Sequence, residues 1–291
     1  MPPDEIADEQ RRGRVAGACA VASGVLIAAG AIWRQVISAD APDGDAAGLR
    51  FFDSHSGELV ASSVLRALGL LVLIPAALHL YRATKARNPQ ETRVVAAMAT
   101  YGPVALALSG VIEAVALSVI SSDFSGRSFG TVKAADDAAQ DAVKDASLYV
   151  AAFLGLSGVI ALGFFLVKGG LDAMRVGLLS RFMGMFAIVL GPAIVLVSPA
   201  FVVLPLWVVA LGGLFLGVWP RGVPPAWTSG RAMPWRGREG EAALPQAAID
   251  PGGSPNGEVD AVGPGVHPAG ESGDEVAAPQ GGRRKRKRRQ R

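Results

Sequence analysis

Six apolar runs, each near twenty residues, alternate with polar stretches along the first three quarters of this 291-residue chain. They fall at 15–33, 59–81, 94–120, 148–167, 177–197 and 200–219. A helix rises about 1.5 Å per residue and a bilayer core is about 30 Å thick, so each run is long enough to cross one. None alternates with the period of two that a membrane β-barrel strand needs. The pattern predicts an all-α, polytopic membrane helix bundle with six transmembrane helices. The first run exceeds the apolar region of a secretory signal. Pro42 would also follow the cleavage-like Ala39-Asp40-Ala41, so the run reads as a retained span.

The polar stretches are of two kinds. Residues 1–14 end in Arg11-Arg12-Gly13-Arg14, the connector after the second run carries Arg82, Lys85, Arg87 and Arg93, and Lys168–Arg175 reads as a short basic turn. Residues 34–58 and 121–147 are acidic, with Asp40, Asp43, Asp53, Asp123 and Asp141 among their charges. Short loops bearing lysine and arginine stay in the cytoplasm, so both termini are expected there and both acidic stretches outside. Residues 34–58 read as a loop. The alanine-rich part of 121–147, Val132–Ser147, predicts a helical lead-in to the fourth span, lying on the membrane surface or extending that helix into water.

Two charges interrupt the central hairpin. Arg66 and Glu113 each lie roughly 10 Å inside the outer end of their runs, which places them at one depth in antiparallel neighbours. Charges within a span are costly and tend to pair or to face the bundle interior. Three readings stay open: Arg66 snorkels to the headgroups, the two form an ion pair that locks the hairpin, or they line a polar path for a substrate or proton. Ser62, Ser63, Ser109 and Ser118 near that level favour a polar pocket, and Pro75, Pro103, Pro192 and Pro205 permit kinks.

Composition agrees with a membrane location: 51% of residues are hydrophobic and 18% charged, where a soluble domain carries about a quarter. The single cysteine, Cys19, lies in an apolar run and excludes a disulfide framework or a cysteine metal site. Ala16, Ala20, Gly24 and Ala28 form a small-residue stripe on which another helix can approach closely. Packing inside its own bundle is the simpler use of that stripe, and a homo-oligomer the other. Residues 220–291 have too few large apolar side chains to offset ordering entropy and are expected to be disordered. Trp227 and Trp235 suit the headgroup level. The tail ends in a polybasic run of Arg283, Arg284, Lys285, Arg286, Lys287, Arg288, Arg289 and Arg291. Tethered to a bilayer, its nearest anionic partner is the cytoplasmic leaflet. A solvated tail ranks next, and nucleic acid is the least expected partner.

Little of this carries chemistry. Gly155-Leu156-Ser157-Gly158 resembles the Gly-x-Ser-Gly of rhomboid intramembrane proteases, which would make Ser157 a nucleophile. That family takes its histidine base from the sixth span, and 200–219 contains none. Leu-Ser-Gly-Val-Ile occurs at 108–112 and 156–160, which fits either a duplication of the kind that builds transporters or, more simply in a chain this rich in those residues, chance. No nucleotide loop or metal-ligand spacing occurs, so no catalytic residue, cofactor or metal is expected. The chain resembles uncharacterised six-span bacterial integral membrane proteins, a family of unknown function. The resemblance rests on Leu68-Gly69-Leu70-Leu71 through Pro75, on His79-Leu80-Tyr81-Arg82-Ala83-Thr84, on Leu211–Gly217, and on Pro225-Ala226-Trp227 and Pro234-Trp235. It implies a bacterial plasma-membrane location and adds nothing about chemistry. The expected role is a non-enzymatic structural or interaction protein, with a small transporter or permease built on Arg66 and Glu113 as the alternative.

Overall fold

The computed structural model describes residues 3–196, 200–219 and 222–233. The chain divides into two units, Met1–Ala242 and Ala243–Arg291, and every described residue belongs to the first. Among the described residues the structure is all-helical: α1 (Pro3–Ser38), α2 (Asp45–Ser54), α3 (Ser56–Arg87), α4 (Arg93–Ser125), α5 (Val132–Ala142), α6 (Ala146–Arg175), α7 (Arg181–Leu196), α8 (Ala200–Phe215) and α9 (Pro225–Ser229). Ala7–Ser38 of α1 and the whole of α3, α4 and α6 are long and apolar enough to cross a membrane. At sixteen residues each, α7 and α8 reach about 24 Å. Large apolar side chains such as Leu68, Phe153 and Val202 remain exposed on the outside, as expected where a helix meets hydrocarbon rather than water.

Glycines set the helix contacts. A Cβ on Gly102 of α4 would stand 2.7 Å from the Leu162 backbone nitrogen of α6, and one on Gly163 of α6 would stand 2.8 Å from the Gly191 carbonyl of α7. On α1, a Cβ on Gly17 or Gly24 would crowd Gly212 or Val209 of α8. Only backbones without side chains approach this closely. The stripe containing Gly24 is therefore used inside the bundle. Each long helix packs antiparallel to the next, and α8 returns to α1, so α1, α3, α4, α6, α7 and α8 follow one another round a closed ring. Contacts between α3 and α6 cross its middle. We call the end where α1 begins proximal and the other distal.

The two ends depart from the sequence-based expectation. Distally, 34–58 is not a loop. Ala46 and Leu49 give α2 an apolar face that packs with Phe124 and with Ala135 and Ala139 of α5. The Ala46 N–H donates to Asp136 Oδ1 (3.1 Å) and Gln140 Nε2 to Asp45 Oδ2 (2.9 Å). Helix α5 is not continuous with α6, because Asp145 caps a new start by accepting from the Ser147 N–H at 2.8 Å.

Proximally, 168–175 is not a turn but the last two turns of α6. The turn falls at 176–180, where Gly177 adopts φ +79° and Leu178 and Leu179 are fully buried. Helix α7 therefore begins four residues later than its apolar run. Nor is the whole stretch after 219 irregular: α9 docks on the bundle with Ala226 and Trp227 buried, so Trp227 does not sit at an exposed headgroup level. The Ser198-Pro199 link, Trp235 and the basic run 283–291 lie outside the described residues.

Candidate functional site

The two intramembrane charges occupy the distal half of the ring but do not pair. Glu113 Oε1 lies 3.5 Å from Arg34 Nη2, and both groups are half-buried. Arg34 reaches it because α1 continues to Ser38, one turn beyond the expected end at Trp33. Gly30, a turn earlier, lets α1 approach α3 until a Cβ there would stand 2.7 Å from the Ser62 carbonyl. The Arg66 guanidinium lies against Gly110, one turn before Glu113, attracted by Glu113 and repelled by Arg34. No hydrogen bond or ion pair joins Arg66 to Glu113 among the described residues. The neighbouring serines do not converge on either charge. Ser62 donates to the Leu59 carbonyl (2.8 Å) and Ser109 to that of Ala151 (2.7 Å), so both serve helix backbones.

Two clusters at the proximal end escaped the sequence reading. In the first, the Arg87 side chain is 0% exposed and all five of its N–H donors are satisfied. Nη1 and Nη2 donate to the Glu9 carboxylate at 2.8 and 3.2 Å, and Nη1 also to the Ala83 carbonyl at 2.9 Å. Nε and Nη2 donate to the Ala226 carbonyl at 3.1 and 2.8 Å. The guanidinium also lies over the Trp227 ring, 5.5 Å from its centroid, and Trp227 Nε1 donates to the Leu178 carbonyl at 2.9 Å. One arginine thus joins the start of α1, the end of α3 and α9. His79 also stacks on Trp227, with ring centroids 5.7 Å apart.

The second cluster surrounds Glu91, in the connector between α3 and α4. Its side chain is 1% exposed, and Oε1 lies 3.8 Å from Lys168 Nζ. Lys168 also pairs with Asp172, which Arg175 approaches at 3.5 Å. Both Glu91 oxygens are buried with no hydrogen-bond donor to them, and a second carboxylate, Asp172, stands beside them. Burial, and then Asp172, push the Glu91 carboxyl up to about 7, against the opposing pull of Lys168 and Lys85. In its protonated form Glu91 donates to Asp172 and the mismatch disappears.

Ser157 of the protease-like motif bonds the Tyr101 hydroxyl (2.8 Å) and the Leu154 carbonyl (3.1 Å), and among the described residues no histidine bonds it. Ser54 and His55 lie 3.0 Å apart, but both bond the Phe51 carbonyl and serve to close the end of α2. No group of three His, Cys, Asp or Glu side chains able to hold a metal occurs among the described residues. Compared with known proteins, the chain matches no family model, no curated protein and no solved structure.

Proposed function

We propose that this chain is a six-span integral membrane protein of the bacterial plasma membrane, with both termini in the cytoplasm. In this reading it works as a non-enzymatic structural or interaction protein. The observation that carries the choice over a transporter is the filling of the ring. One connected apolar core takes side chains from all six ring helices, including Leu73, Leu80, Leu162, Phe165, Leu204 and Trp207, each at most 2% exposed. It lies between Arg66 and Glu113 and the proximal end, so a polar path from those charges would have to pass through packed hydrocarbon. Dense cores of this kind transmit force and hold shape, but they do not conduct. The charge partition supports the orientation: Arg12, Arg82, Arg87 and Lys168 are proximal, whereas α2 and α5 carry acids distally. The run 283–291 is taken to meet anionic lipid of the cytoplasmic leaflet, an attraction that weakens as salt rises.

Single cysteines in a Cys19→Ala chain test both parts. Positions 45 and 137 should take an impermeant thiol reagent from outside cells and position 86 only after the cells are opened, while 76 and 99 in the ring should resist from either side. Outside labelling of 86 would reject the orientation. Ready labelling of 76 and 99 would reject the filled ring and restore the transporter.

A further inference from the structure

A cavity of about 640 Å³ opens between the first turns of α1 and the last turns of α3. Ile74, Pro75 and Leu78 form an apolar floor, and Glu5, Asp8, Arg12 and Arg82 a charged rim. The rim is not neutralised internally. Among the described residues neither Arg82 nor Glu5 makes a hydrogen bond or ion pair, and the Arg12–Asp8 pair (2.6 Å) is exposed and so weakly held. His79 also lines the wall. It is 7% exposed, and its Nε2 is buried without a partner. An unpaired buried ring nitrogen is costly unless something else uses it.

Depth orders these groups. Arg12 and Arg82 each lie about 16 Å from the midpoints of Ala7–Ser38 and of α3, the distance at which a hydrocarbon core about 30 Å thick ends. Asp8 lies about 6 Å and Glu5 about 10 Å further out along α1, while Leu78 and Ile74 lie within the hydrocarbon. Passing outward, the cavity offers apolar surface, the His79 ring, two guanidiniums, then the carboxylates of Asp8 and Glu5. A glycerophospholipid with an amine headgroup presents the complementary series: acyl chain, ester, phosphate, ammonium.

We propose that this cavity is a binding site for a phospholipid of the phosphatidylethanolamine type. The phosphate lies between Arg12 and Arg82, and the ammonium meets Asp8 and Glu5. An acyl chain covers Ile74, Pro75 and Leu78, and His79 stands at the ester level. The site rests on the membrane reading but not on its orientation, since either leaflet has the same order of groups.

The test titrates delipidated full-length protein in detergent with phosphatidylethanolamine, phosphatidylcholine or phosphatidylglycerol, reading bound lipid by native mass spectrometry and unfolding temperature. Phosphatidylethanolamine should bind one to one and raise the unfolding temperature by a few degrees. The choline lipid, whose nitrogen has no N–H to donate, and the glycerol lipid, which has no cation, should bind several-fold more weakly. Arg82→Ala should weaken all three. Glu5→Gln with Asp8→Asn, on exposed positions that leave the fold intact, should erase the preference while leaving phosphate-dependent binding. Equal binding of the three lipids, or binding indifferent to both variants, would show annular lipid only and overturn the site. The cysteine labelling above would be unmoved by that outcome, so the two readings fail separately.

Discussion

At the scale of single residues, Glu91 makes the sharpest statement. Its native carboxyl titrates near 7, above the ordinary value of 4.5, so the folded chain holds this proton more tightly than the unfolded one. The stability it contributes is therefore complete below about 4.5 and lost as pH rises through about 7. Glu91→Gln keeps the protonated shape and should flatten that slope. At pH 8 it should raise stability by on the order of 1–2 kcal/mol, less than the whole shift because Lys168 remains partly hydrated. Unfolding in detergent at pH 5 and pH 8 checks it, and an unchanged slope in the variant would remove Glu91 from the account. Double-mutant cycles at the distal charges give a second check. Arg34→Met with Glu113→Met should be less damaging than the two single effects summed, and should deviate further from additivity than the corresponding cycle on Arg66. Equal deviation in both cycles would mean that Arg34 is not the principal partner. The sequence placed Arg66 and Glu113 near one depth but hid the partner, because apolar composition marks where a span begins to be polar, not where its helix stops. Arg87 was hidden more completely. As one of four basic residues around a short connector, nothing local distinguishes it from its exposed neighbour Arg82.

At the scale of elements, the sequence revealed which segments are helical and misplaced most of their ends. Runs of twenty apolar residues cannot be anything else in lipid. Helix α6 outlasts its apolar run because Lys168, Asp172 and Arg175 recur at helical spacing and pair on one face, a signal that a hydropathy reading treats as a loop. Helix α9 was lost inside a stretch dominated by proline and glycine, where five ordered residues leave no compositional trace. Its role is measurable. A chain ending after Met233 keeps the Ala226 carbonyl and the Trp227 ring on Arg87 and should unfold like the full-length protein. One ending after Gly217 removes from Arg87 both the Ala226 carbonyl and the covering Trp227 ring, and should lose roughly 2–4 kcal/mol. Equal stability of the two truncations would mean that α9 only rests on the bundle.

At the scale of the whole molecule, six runs of suitable length and an alternating charge bias were enough to foresee a helical bundle, but not its closure into a ring. Closure depends on Gly17 and Gly24 meeting Gly212 and Val209 across the length of the sequence, a pairing no local pattern announces. It also has a consequence for how the chain is made. About 180 residues separate Gly24 from Pro205, which a ribosome adding ~5–20 residues per second takes roughly 10–40 s to deliver. Throughout that interval α1 is already made while the helix that covers its glycines is still being translated. The first helix of one nascent chain is then free to pair with the first helix of another. A chain stopped at Leu196 with cysteine at Ala20, in the Cys19→Ala background, should form disulfide-linked dimers that vanish once α8 is restored. Equal dimer in both would show that the open face is harmless. Otherwise α8 is the seal that ends a period of vulnerability built into the order of synthesis.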